Sequence, residues 1–119
     1  MGKRGTAREA VDCLRERGVA AGLVRLRLFR PFPAAELAEL LCPFQRIAVI
    51  DRNCSVGSGG IFAQEVRAAL HGRPGPARVF SYIAGLGGVN VSVDRVMQIA
   101  RDALRRPTVP MEPILEEAL

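Results

Sequence analysis

Apolar and polar positions alternate at two different periods along this chain, and the switches between them mark out its elements. Ala7, Ala10, Val11 and Leu14 recur at helical spacing. Thr6-Ala7-Arg8-Glu9 has the Thr-x-x-Glu form of a capping box, and Gly18 ends the run, so residues 6–17 read as a helix. Leu23-Val24-Arg25-Leu26-Arg27-Leu28 alternates with period two, placing Arg25 and Arg27 on one face and Leu26 and Leu28 on the other. A covered parallel strand rarely carries two arginines, so this strand is expected at an edge or against a partner. Arg30-Pro31-Phe32-Pro33 breaks it; Pro33 can open a helix carrying Leu37, Leu40 and Leu41, and Pro43 closes that helix.

Ile47-Ala48-Val49-Ile50 is a short continuous apolar run, as in a buried parallel strand, with Asp51 at its end. A Gly-rich turn, Ser55-Val56-Gly57-Ser58-Gly59-Gly60, leads into a helix through Ile61, Phe62, Val66, Ala69 and Leu70. Residues 72–76 form a loop, Val79-Phe80-Ser81-Tyr82-Ile83 a third strand, and Gly85-Leu86-Gly87-Gly88 a second Gly-rich turn. Ser92 caps a last helix with Asp94 in its first turn and Val93, Val96, Met97, Ala100 and Leu104 on its buried face. Pro107 and Pro110 end regular structure, leaving room for one short helical turn beyond them. Strands alternating with helices predict an α/β fold, with a mainly parallel sheet covered by helices on both faces. The expected organisation is one domain over residues 1–106 with a C-terminal tail, 107–119; the opening helix is unusual, since such folds normally start with a strand.

Composition trims the possible chemistry. With 119 residues, 49% hydrophobic and 24% charged, the chain is long enough for a modest core. No apolar run approaches the roughly 20 residues that span a bilayer, and the first residues do not resemble a secretory signal, so cytoplasm is the expected location. His71 is the only histidine, which excludes a multi-imidazole metal site within one chain. Cys13, Cys42 and Cys54 are odd in number and nowhere CxxC-spaced, so neither a disulfide framework nor a zinc or iron–sulfur site follows. All Lys and Arg fall within residues 1–106, and Glu112, Glu116 and Glu117 lie beyond, giving a basic body and an acidic tail. The arginines form no run and no aromatic residues interleave with them, so nucleic acid is disfavoured as a partner.

The strongest candidate site is the turn after the Ile47–Ile50 strand. It lies at the carboxyl end of a parallel strand and at a helix N-terminus, where free amides meet the positive end of the dipole. Ser55, Gly57, Ser58, Gly59 and Gly60 are its candidate anion-binding residues, and Arg25 and Arg27 the candidate partner contacts. The dinucleotide fingerprint fails because residue 62 is Phe, and no Gly-Lys-Ser/Thr is present, so a turn that merely lets the helix pack is the stronger reading. The second turn is read the same way. Asp51 suits a cap or an ion pair with Arg46 or Arg52 better than a general base, His71 suits a helix C-terminus, and Cys54 suits a small buried side chain better than a reactive thiol.

Three motifs in order, Arg27-Leu28-Phe29-Arg30-Pro31-Phe32-Pro33, Asp51-Arg52-Asn53-Cys54-Ser55-Val56-Gly57-Ser58-Gly59-Gly60 and Ile83-Ala84-Gly85-Leu86-Gly87-Gly88, resemble core domain II of the alpha chain of pyruvate:ferredoxin oxidoreductase and related 2-oxoacid:ferredoxin oxidoreductases. The resemblance covers roughly residues 1–106. It implies a three-layer α/β/α domain like the transketolase C-terminal domain, serving an enzyme that oxidatively decarboxylates a 2-oxoacid, with pyruvate favoured, to an acyl-CoA. Thiamine diphosphate, magnesium and iron–sulfur clusters would belong to partner domains, none being bound by this chain, and ferredoxin would be an indirect partner. The implied role is architectural, through contacts with other domains or subunits, and no catalytic residue carries over. The rival function is a stand-alone anion- or nucleotide-binding module using the 55–60 turn. The resemblance also implies that a first strand, lying before Met1, is missing, leaving strands 23–28 and 47–50 with open edges or pairing them with each other. Open edges recruit partners or copies, so the isolated chain is expected to be marginally stable or to self-associate. A sharp, concentration-independent thermal transition of a clean monomer would contradict this.

Overall fold

The computed structural model describes residues 6–24, 33–51, 54–55, 59–73, 75–85, 91–110 and 112–119. In chain order these form α1 (Thr6–Glu16), α2 (Ala34–Leu41), β1 (Arg46–Asp51), β2 (Cys54–Ser55), β3 (Gly59–Gly60), α3 (Ile61–Leu70), β4 (Arg78–Ile83), α4 (Val93–Arg105), β5 (Ile114–Leu115) and a 3-10 turn (Glu116–Ala118). The main sheet is parallel, in the order β1-β4-β5. Arg46 pairs with Arg78 at one end of the β1–β4 register and Asp51 with Ile83 at the other. β2 and β3 pair antiparallel beside it.

β4 is central and covered on both faces, which is why its sequence is apolar almost throughout. Its side chains divide by parity. Val79 joins Leu37, Ile47 and Val66 in a core shared with α2 and α3. Phe80 and Tyr82 join Ala84, Ile99, Ala103 and Ile114 in a second core on the α4 side. Fully burying a side chain the size of Phe80 contributes roughly 1.5–3 kcal/mol. Helices on both faces make a three-layer α/β arrangement, as expected.

α4 is buried on two stripes. Ile99, Asp102 and Ala103 face inward, while Met97 meets Ala10 and Leu14 of α1 with Val93, Val96 and Ala100 alongside. Leu104 departs from expectation and is exposed. It continues the Met97 stripe seven residues on, past the last α4 residue that packs with α1.

The Leu23–Leu28 strand is corrected in its first two residues. Leu23 and Val24 lie in irregular, exposed backbone, where nothing buries an apolar face; Arg25 and Arg27 fall outside the described residues. The Pro-rich segment supplies an element that was not expected. Ile114 and Leu115 pair with Tyr82 and Ile83, so β5 covers the second edge of β4 before the 3-10 turn. Among the described residues the outer edge of β1 carries no paired strand.

Candidate functional site

At the carboxyl edge of the sheet, the α3 N-terminus beside the first candidate turn is closed by the protein itself. Asp51 ends β1 and is buried. Its Oδ1 accepts the Phe62 N–H at 2.9 Å and its Oδ2 the Ala63 N–H at 3.1 Å. These are amides of the first turn of α3, the donors an anion at this helix end would seek. The carboxylate of Asp51 thus acts as a cap delivered from the neighbouring strand. Gly60 precedes α3 in extended backbone and contributes no side-chain cap. A Cβ there would run into the Asp51 carboxylate, so glycine is required by the close approach. Burial raises the Asp51 pKa above its ordinary value, opposed by the two amide hydrogen bonds. Of Cys54 and Ser55 the backbone pairing with Gly60 and Gly59 is described. The side chains of Cys54 and Ser55 lie outside the described structure, as do residues Gly57 and Ser58.

The first residue of the second turn is also tied down. Gly85 has φ +76°, which favours glycine, and its N–H donates to Glu116 Oε2 at 2.7 Å. Glu116 in turn sits 3.2 Å from Arg95 Nε, and Arg95 Nη1 donates to the Glu116 carbonyl at 2.9 Å. This joins the first turn of α4 to the C-terminal segment. Residues 86–88 lie outside the described structure.

A third lock lies deeper. The Tyr82 hydroxyl donates to Asp102 Oδ2 at 2.8 Å. Arg106 Nε donates to the same oxygen at 2.6 Å, and Arg105 Nη2 donates to Oδ1 at 2.8 Å. Burial alone would raise the Asp102 pKa, but hydrogen bonds from Arg106, Tyr82 and Arg105 outweigh it and hold the group below its ordinary value. Burial, then the bond to Asp102, pushes the Tyr82 phenol above its ordinary range. Since the folded-state pKa of Asp102 is depressed, its stabilisation is present above the unfolded value of 3.8 and lost as pH falls through the folded one. Thermal melting across pH should therefore separate the wild type from Asp102→Asn by a constant gap near neutrality that narrows below pH 3.8. A gap that widens in acid would contradict the assignment.

At the opposite edge, Arg46 Nη1 donates to the carbonyls of Ala103 at 2.6 Å and Arg106 at 2.7 Å. Its guanidinium also lies 5.7 Å from the Phe80 ring centroid. The residue therefore caps the C-terminus of α4. His71 ends α3, where a cation was expected.

Sequence reasoning missed Asp102, Tyr82 and Glu116. Asp102 lies three and four residues before Arg105 and Arg106, the signature of an exposed helix ion pair, and nothing local announces that a sheet tyrosine meets it. Chemically, these groups hold elements together: Asp51, Asp102 and Glu116 are each matched to internal donors. Among the described residues no group of three or more His, Cys, Asp or Glu could hold a metal ion, and Cys13 and Cys42 are free thiols in separate segments. No described helix is long and apolar enough to cross a membrane.

Comparison with known proteins adds the decisive observation. Residues 2–96 match the family model for pyruvate:ferredoxin oxidoreductase core domain II. The chain is a member of the core domain II family. It is 44% identical over 98 residues to ketoisovalerate oxidoreductase subunit VorA of Pyrococcus furiosus, covering 82% of this chain and 25% of that protein. It is 36% identical over 96 residues to pyruvate synthase subunit PorA of Methanothermobacter thermautotrophicus, covering 81% and 24% respectively. PorA of Thermotoga maritima is 33% identical over 99 residues, covering 83% and 25%. The core domain II chain therefore spans about a quarter of the length of these relatives.

Proposed function

We propose that this core domain II chain is a non-catalytic, architectural part of the alpha subunit of a 2-oxoacid:ferredoxin oxidoreductase, acting in the cytoplasm within the assembled enzyme. The observation that carries the proposal is the family match over residues 2–96, together with relatives named as ketoisovalerate oxidoreductase subunit VorA and pyruvate synthase subunit PorA. The side chains support the architectural role. Asp51, Asp102 and Glu116 each bind internal donors, so these three acids serve the fold rather than standing ready as a general base. Thiamine diphosphate and the clusters are assigned to other parts of the enzyme, which would supply the carbanion and electron-transfer chemistry.

The rival anion-binding module is disfavoured because Asp51 already accepts two amides of the first turn of α3. Pyruvate was favoured by the motifs, whereas VorA of P. furiosus, at higher identity than the PorA relatives, is named for ketoisovalerate. Both are 2-oxoacids. The test measures 2-oxoacid-dependent ferredoxin reduction with each substrate, by the isolated chain and by the preparation that co-purifies with it. The isolated chain should be inert and the preparation active with at least one of the two. Turnover by the isolated chain, or an inert preparation, would overturn the proposal.

A further inference from the structure

Parallel strands alternating with helices put every helix C-terminus and every strand start on one edge of a sheet. In this chain that edge is strongly basic. β1 and β4 begin with Arg46 and Arg78 in register. α3 ends near Arg67, His71 and Arg73, and α4 ends with Arg105 and Arg106. The end of α2 reaches the same edge, since a Cβ on Gly75 would lie 2.8 Å from the Cys42 carbonyl. Of the acids near these helix ends, Asp102 is buried among its own donors and Glu39 lies one turn back in α2.

A groove of about 370 Å³ opens on this edge. Arg67, His71 and Arg78 line it over a floor of Leu70, Val79 and Val109, and no carboxylate lines it. Both guanidiniums are oriented by single backbone carbonyls. Arg67 Nη2 donates to Val79 O at 3.3 Å, and Arg78 Nη1 donates to Pro107 O at 2.9 Å. Each planar fork has further N–H groups beyond the one so used, the arrangement that suits a carboxylate. A second, smaller recess beside it shares Arg78 and adds Arg46.

We propose that this groove docks an acidic polypeptide segment, with carboxylates on the Arg67–His71–Arg78 rim and apolar side chains on the floor. Charge complementarity selects the occupant. Arg73, and Arg105 and Arg106 beyond their pairing with Asp102, add to the basic residues of this edge, more than a small anion would engage, and the groove is open to solvent. The proposal deepens the architectural reading and rests on it, because the segment would come from another domain or subunit of the oxidoreductase.

The test uses the full chain alone, so its failure is separable from failure to find the chain in an oxidoreductase. A short fluorescein-labelled peptide of glutamates interspersed with leucines is titrated by anisotropy at low salt. Its counterpart with lysines in place of glutamates serves as the control, and inorganic pyrophosphate as competitor. The glutamate peptide should bind saturably and shift amides in residues 67–79 and at Val109. Arg67→Gln with Arg78→Gln should weaken it about tenfold or more. His71→Ser with Arg73→Ser, exposed positions at the α3 end, should weaken it severalfold while lowering the melting temperature by no more than a few degrees. No saturable binding, equal binding of the lysine peptide, full affinity in the His71 and Arg73 variant, or complete displacement by stoichiometric pyrophosphate would each overturn the proposal.

Discussion

Replacing Asp102 with alanine is expected to destabilise the chain by about 2–4 kcal/mol, lowering its melting temperature by roughly 10 °C. The three partners of Asp102 contribute unequally. Arg105 is largely exposed, so its pair contributes little, of order 0–1 kcal/mol. Arg106 is about two-thirds covered and makes a short charge-assisted bond. Tyr82 is completely buried, and without Asp102 its hydroxyl has no acceptor in its place, a penalty of about 1–3 kcal/mol. Tyr82→Phe alone should lower stability by only about 1 kcal/mol, because Asp102 keeps both arginines. The double variant should then be less destabilised than the sum of the two, since the orphaned hydroxyl is gone. Denaturant unfolding of the four proteins checks this. A loss below about 0.5 kcal/mol in Asp102→Ala would reduce the network to a surface ion pair.

Gly60→Ala is the second large effect, and its size depends on another residue. Gly60 has φ −75°, which alanine adopts freely, so the penalty is steric alone. The new Cβ would meet the Asp51 carboxylate, whose Cγ would lie 2.8 Å away. Asp51 cannot retreat without releasing the amides of Phe62 and Ala63. Overpacking of this kind costs about 1–3 kcal/mol, with loss of the cap adding about 1 more. In an Asp51→Ala background the carboxylate is gone and only the Cβ of residue 51, 3.1 Å away, still has to give by a few tenths of an ångström. Gly60→Ala should there cost much less, with the smaller entropy of the unfolded chain offsetting part of the remaining contact. The same melting series measures both backgrounds; equal penalties in the two would show that the carboxylate does not occupy this space.

The sheet core was legible because its signals are local. Ile47–Ile50 and Val79–Ile83 are short apolar runs bounded by turns, and α4 carries both a serine cap and a long apolar stripe. The cap on α4 is made as read, with Ser92 Oγ accepting the Arg95 N–H at 3.1 Å. β5 was not legible, since two paired residues among prolines show no period. Leu23 and Val24 show the converse, an apolar pair that no packing turns into a strand. At the site, Asp51 was recognised as a cap candidate, but which amides it binds depends on how α3 returns to β1, a tertiary fact. The Tyr82–Asp102 bond joins a strand to a helix, and neither residue's neighbours encode the other.

The basic amino edge could be read only once the topology was known. Its arginines are scattered from 46 to 106 in sequence, and the parallel sheet gathers them. Together with the internal use of Asp51, this favours the amino edge over the Gly-rich turn as a binding surface, while the expected partner contacts Arg25 and Arg27 lie outside the described residues.

The most direct test of the central claim is to tag the chain in its native cell, purify it gently and identify its companions by mass spectrometry. The account predicts polypeptides with thiamine diphosphate- and cluster-binding sequences, in fixed stoichiometry with the chain. Recovery of the chain alone, as a stable monomer, would contradict it.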